Sequence, residues 1–194
     1  TAAPPPFTSP DAELRDFPFM PIDVTRLLES EFNAITDDTA WRVGLTLWLK
    51  SWQQEPAGSL PNSDASLCKL ADLGRDLETW KRVKAVAMRH WVLCSDGLLY
   101  HPVVAEKVNE AWQGKLKQRW GAECGRIRKD AQRKKLEGVE TPTFDEWLNR
   151  EGLRQAPVSS GTSGIRPKRQ RAGNNHTVAP DSAERPTGQT PVSH

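Results

Sequence analysis

The chain has 194 residues, of which 37% are hydrophobic and 27% charged, with 27 Lys and Arg against 25 Asp and Glu. That length holds one domain plus tails, and the absence of any run of about eighteen apolar residues excludes a membrane-spanning helix. The near-neutral total hides a gradient: residues 1–62 carry four cations against nine acids, whereas residues 102–138 carry ten cations against five acids, so polyanionic partners are expected at the second stretch.

Residues 1–16, with Pro4-Pro5-Pro6 and Pro10, read as a disordered or extended lead. They lack a basic-then-apolar signal pattern, which gives a cytoplasmic expectation for a chain that starts at Thr1. Seven of the eight Trp fall between residues 17 and 136, where a core is therefore expected. Phe17-Pro18-Phe19-Met20-Pro21 is stiff and apolar, a strap across that core. Asp23 to Glu31 reads as a short helix with Val24, Leu27 and Leu28 inward. Thr36, Asp37 or Asp38 then caps a scaffold helix in which Trp41, Leu45, Trp48, Leu49 and Trp52 recur at helical spacing as a core stripe. Pro56-Ala57-Gly58 ends it.

From Leu60 to His101 the order is helix, tight turn, helix and hairpin. Asn62-Ser63-Asp64 can cap a helix to Leu73, and Gly74 stops it. Asp76 can cap a second helix reaching Trp91, with Leu77, Trp80, Val83, Ala87 and Trp91 on one face and Lys81, Arg82, Ala85 and Arg89 on another; Lys84 lies between. Val92-Leu93-Cys94 and Leu98-Leu99-Tyr100 flank Ser95-Asp96-Gly97, and Asp-Gly is a strong hairpin signal. The pattern is that of a winged helix-turn-helix. Beyond it, Pro102 permits a helix start, and an apolar stripe from Val104 through Trp112, Leu116, Trp120 and Cys124 to Ala131 continues to about Leu136. Only the first turns of so long a helix are expected to pack, and Gly114, Gly121 and Gly125 weaken the rest. Its far end, Arg126, Arg128, Lys129, Arg133, Lys134 and Lys135, is a basic run. Thr143 and Glu146 form a capping box before a short helix carrying Phe144, Trp147 and Leu148, readable either as a docking peptide or as a latch. Residues 155–194 read as a disordered tail with one basic cluster, Arg166-Pro167-Lys168-Arg169-Gln170-Arg171.

The expected organisation is thus a mainly α chain: lead 1–16, winged-helix domain 17–115, basic extension of the long helix 116–137, linker with an amphipathic helix 138–154, and tail 155–194. Cys68, Cys94 and Cys124 are too few and too scattered for a disulfide framework and read as small buried residues of a reducing compartment. A zinc site from His90, Cys94, Cys68 and His101 is the competing idea, but no CxxC or HxxxH pair anchors it, so no metal or other cofactor is expected. The chain carries no phosphate-binding glycine loop, no GxSxG and no close carboxylate pair with a companion base, which argues against an enzyme.

Asp16 to Pro21, Trp48 to Trp52, Ser59-Leu60-Pro61 with Asp64, Trp80-x-x-Val83 and the block Cys94 to Lys107 together resemble the phage- and prophage-associated YdaU-like family. The resemblance covers roughly residues 16–120. It implies kinship with the winged-helix N-terminal domains of phage replication initiators and a role in phage DNA replication, and it implies no catalytic residue.

The function expected is a non-enzymatic DNA-binding adaptor in replication initiation or transcriptional regulation. Lys81, Arg82 and Arg89 would enter the major groove, and Lys84, Lys107, Arg126, Arg128, Lys129, Arg133, Lys134 and Lys135 would hold double-stranded DNA by its phosphates. The wing tip fits DNA poorly, since Asp96 and Leu98 stand where a DNA-reading wing would often present Arg or Lys. The alternative is a protein-interaction module in which the winged helix is a scaffold and the long helix, or Phe144 to Leu148, recruits a helicase, a loader or a second copy as a homodimer.

Overall fold

The computed structural model describes residues 2–153, and the expectations for the tail at 155–194 lie outside the described residues. The fold is mainly helical, with a small antiparallel sheet. In chain order it runs α1 (Val24–Leu28), α2 (Glu31–Ile35), α3 (Asp38–Trp52), β1 (Ser59–Pro61), α4 (Asp64–Leu70), α5 (Leu77–Ala87), β2 (Val92–Leu93), β3 (Leu98–Tyr100), α6 (Pro102–Lys134) and α7 (Phe144–Glu151). No described helix is long and apolar enough to cross a membrane.

Local chemistry places the element boundaries. The Asp37 carboxylate accepts from the Ala40 N–H and Asp76 from that of Thr79, so both side chains satisfy backbone donors that a helix start leaves unpaired. Thr143 and Glu146 close the capping box of α7. Gly97, at φ +80°, supplies the left-handed residue of the hairpin turn. The sheet order is β1-β3-β2: Leu60 pairs with Leu99, and Leu93 pairs with Leu99 from the other side. Residues 59–61, to which the sequence reading assigned no strand, form the third strand.

Two apolar clusters hold the fold. One joins α3, α4, α5 and β1 through Val43, Leu47, Leu60, Leu67, Trp80 and Val83. The other joins α3, α6 and α7 to the N-terminal lead through Leu14, Trp52, Val108, Trp112, Leu116 and Trp147.

Several expectations are corrected. The lead is packed: Leu14 is 0% exposed, the Thr8 hydroxyl donates to the Ala57 carbonyl at 2.9 Å, and the Asn109 amide donates to the Phe7 carbonyl at 2.9 Å. Lys115 of α6 anchors the lead further, donating to the Glu13 carbonyl at 2.7 Å and to the Asp16 carboxylate at 2.6 Å. Proline content concealed a segment in which Ala12 and Leu14 are buried and the Pro4, Phe7, Ala12 and Glu13 carbonyls accept hydrogen bonds from distant residues. The single helix expected at Asp23–Glu31 is two helices, because Ser30 caps α2 with its hydroxyl; Phe32 is the residue they bury, while Val24 and Leu28 are 62% and 56% exposed.

The buried face of α3 is Ala40, Val43, Gly44, Leu47 and Ser51 together with Trp52, one position off the Trp-rich stripe. A Cβ on Gly44 would lie 2.6 Å from the Phe32 ring, so small residues make the close contact and the large rings are displaced to its margin. Trp80 is buried, but Trp41, Trp48 and Trp91 are only half-buried. The distal half of α6 is not free either. Trp147 and Leu148 of α7 are buried against it, Trp120 Nε1 donates to the Pro142 carbonyl at 2.9 Å, and Cys124 is enclosed. Lead, α6 extension and α7 are therefore parts of one packed unit with the α3–β3 segment, and α7 is a latch.

Candidate nucleic-acid interface

The residues expected to meet DNA fall into two groups that the structure treats differently. On α5, Asp76 caps a helix whose inner face is Trp80, Val83 and Ala87, which leaves Lys81 and Arg82 exposed and Lys84 half-buried. The helix ends at Ala87 rather than Trp91, because Met88 caps it and His90 turns the chain at φ +65°. Arg89 consequently belongs to the turn after α5 and not to its outer face, a correction to the expected groove-facing stripe.

Each of these four cations is held by a carboxylate. Lys81 Nζ lies 3.0 Å from Glu78, Arg82 3.4 Å from Asp37, Lys84 2.6 Å from Asp64 and Arg89 2.8 Å from Glu31. The hydrogen bond from Lys84 holds the Asp64 carboxyl below the usual carboxylate range. Exposed pairs of this kind contribute only about 0–1 kcal/mol to stability. Their effect on a polyanion is larger, since four positive charges set among four negative ones project little field. Lys107 follows the same pattern: burial opposes its charge, but Glu110 at 3.1 Å and Glu106 at 3.5 Å together raise its pKa.

The hairpin turn does not stand free. Asp96 accepts from the Leu98 N–H at 3.1 Å and from the Tyr100 hydroxyl at 2.7 Å, and the Ser95 N–H donates to the Pro4 carbonyl at 2.8 Å. Burial and the Asp96 carboxylate push the Tyr100 phenol well above its ordinary pKa. Asp96 is thus a structural brace, which explains an acidic residue where a DNA-reading wing carries a cation.

The second group lies on distal α6. Arg126 bonds Glu123 at 2.8 Å and Lys134 bonds Asp130 at 2.8 Å, each pair within one helix turn. Arg128, Lys129, Arg133 and Lys135 are exposed and have no ion-pair partner among the described residues. At 100° per residue, Arg126, Lys129 and Arg133 share one face of α6 with Arg119, at spacings of seven, three and four. Arg119 stands 5.6 Å over the Trp147 ring, so the latch helix helps fix that stripe.

No metal-ligand cluster exists among the described residues. Cys68 and Cys94 are buried and hydrogen-bonded to the carbonyls of Asp76 and Val92, and Cys124 is buried under α7. Sequence reasoning missed the carboxylate partners on α2, α3 and α4, which no local spacing relates to α5. No protein-family model, curated protein or solved structure matches the chain.

Proposed function

We propose that this is a non-enzymatic DNA-binding adaptor that grips duplex phosphates chiefly with the distal basic half of α6, and that the α3–β3 segment is a winged helix-turn-helix acting mainly as its scaffold. The carrying observation is the contrast between Arg128, Lys129, Arg133 and Lys135, which have no ion-pair partner among the described residues, and the carboxylate-bound cations of α5. The order helix, strand, helix, helix, strand, strand from α3 to β3, with β3 between β1 and β2, supports the winged-helix reading. A basic helical arm recognises backbone charge rather than base edges, so binding depends on salt and little on sequence. Non-specific binding of this kind has dissociation constants on the order of 10⁻⁴ to 10⁻⁶ M at physiological salt. The resemblance to YdaU-like proteins makes phage replication initiation, or transcriptional control, in the cytoplasm the setting.

A second reading is a protein-interaction module. It is favoured by the neutralised α5 face and by the exposed apolar side chains of Phe19, Val24 and Leu28. Fluorescence anisotropy of a labelled 20-base-pair duplex separates the two. Micromolar binding that weakens steeply with salt supports the DNA reading, and no binding at 50 mM salt leaves the interaction module.

A further inference from the structure

A cavity of about 210 Å³ opens between Arg89, after α5, and Lys107 of α6, with none of the basic residues of distal α6 in its lining. The strap at Met20–Ile22, α1 and α2 form one wall; Trp48, the end of α5 and the start of α6 form the other. Its interior is apolar and aromatic: Phe32 stacks on Trp48 with centroids 5.7 Å apart, and Trp48 meets the His101 ring at 4.7 Å. A dry apolar cavity of about 150 Å³ is enough to hold benzene. The space here admits one ring with a fused ring or a substituent.

His101 gives this lining its polarity. It is 4% exposed, and its Nδ1 has no hydrogen-bond partner. Burial, together with His90 and Arg26, lowers its pKa to about 4, so the ring is neutral at pH 7 and offers one donor and one acceptor nitrogen. The rim carries charge but no surplus of it. Arg26 is bound by Glu106 at 2.9 Å, Arg89 by Glu31 at 2.8 Å and Lys107 by Glu110 at 3.1 Å, so an anionic ligand gains nothing there.

We infer that this cavity receives one uncharged planar aromatic ring bearing a single N–H or O–H, of indole or phenol size, with His101 as its hydrogen-bonding partner. The ring can belong to a free small molecule or to a Trp or Tyr side chain of a peptide. The inference stands independently of DNA binding.

The test is an amide-resonance titration of the full chain with indole, N-acetyl-tryptophanamide, indole-3-acetate and toluene. Indole is expected to saturate and to shift Leu27, Phe32, Ala87 and His101, with indole-3-acetate binding no more tightly. His101→Phe should weaken indole about tenfold and change toluene by less than twofold. Val103→Trp, at a half-exposed position of the lining, should block both, and it decides the matter alone if the His101 variant does not fold. Capped tryptophanamide binding as well as indole assigns the ring to a peptide side chain, and indole binding without it assigns a free small molecule. No saturable indole binding, shifts confined to other residues, or indole affinity unchanged in both variants overturns the inference.

Discussion

Helix α5 with the turn after it holds four cations and the end of α6 with its cap holds six, and the two regions present them to solvent in opposite ways. On α5 and the turn after it, the fold brings Asp37, Asp64 and Glu31 from preceding segments to Arg82, Lys84 and Arg89. On α6 beyond Cys124 and at the cap that follows, Arg128, Lys129, Arg133 and Lys135 meet no carboxylate among the described residues. A count of Lys and Arg along the sequence is therefore a poor measure of available charge. What matters is whether tertiary packing delivers a carboxylate, as Glu31, Asp37 and Asp64 are delivered to the cations on and just after α5.

The contrast can be broken most forcefully at α7. Trp147 is buried against α6, and Trp147→Ala is expected to cost roughly 3–5 kcal/mol and to free the distal helix, because Trp120, Cys124 and Arg119 lose their cover. Hydrogen exchange should accelerate from Trp120 to Lys134 while α5 stays protected. Unchanged protection there would mean that α6 does not need the latch.

Acid separates the two regions next. His101 sits among Trp48, Trp91 and His90 on the α5 side, with a pKa lowered to about 4 from 6.5. A folded pKa below the unfolded one means that the unfolded chain binds the proton first, so stability falls as pH drops from about 6.5 to about 4. The full shift corresponds to about 3 kcal/mol. Chemical denaturation at pH 7 and pH 4.5 should show most of that loss, and His101→Phe should remove the pH dependence within this window. An equal loss in the variant would assign the effect to other groups.

A third change sharpens the description of α6. No atom lies within 4 Å of a Cβ built on Gly121 or Gly125, so Gly121→Ala should stabilise the chain by about 1 kcal/mol, read as a rise in melting temperature. The smallest effect is the most specific. Asp37→Asn with Glu31→Gln releases Arg82 and Arg89 from their partners and should tighten duplex binding two- to fivefold at low salt, by anisotropy. No gain would show that the α5 face is remote from the nucleic acid.

Much of this fold was legible because its signals are local. Asp76, Thr143 with Glu146, and Asp96-Gly97 each fix a cap or a turn within four residues, and the order from α4 to β3 follows from them. Failures came where small or distant residues decide. Apolar counting favoured Trp41 and Trp48, whereas the tight face of α3 is made by Ala40, Gly44 and Ser51. The lead was read from its prolines, although Leu14 and the Lys115 contacts tie it down from about a hundred residues away. The basic run at the end of α6 was visible as composition, but that Arg128, Lys129, Arg133 and Lys135 meet no carboxylate among the described residues, while Arg82, Lys84 and Arg89 meet distant ones, are tertiary facts.

The central claim is that free charge on α6, and not the α5 face, supplies the grip on DNA. It is tested most directly by the salt dependence of duplex binding for the parent chain, for Arg128→Ala with Lys129→Ala, Arg133→Ala and Lys135→Ala, and for Lys81→Ala with Arg82→Ala. Each lost phosphate contact should flatten the slope of log affinity against log salt by about 0.9. The account predicts a reduction of about three to four in the α6 variant and of less than one in the α5 variant. A flattened slope and lost binding in the α5 variant, with the α6 variant behaving as the parent, would contradict it.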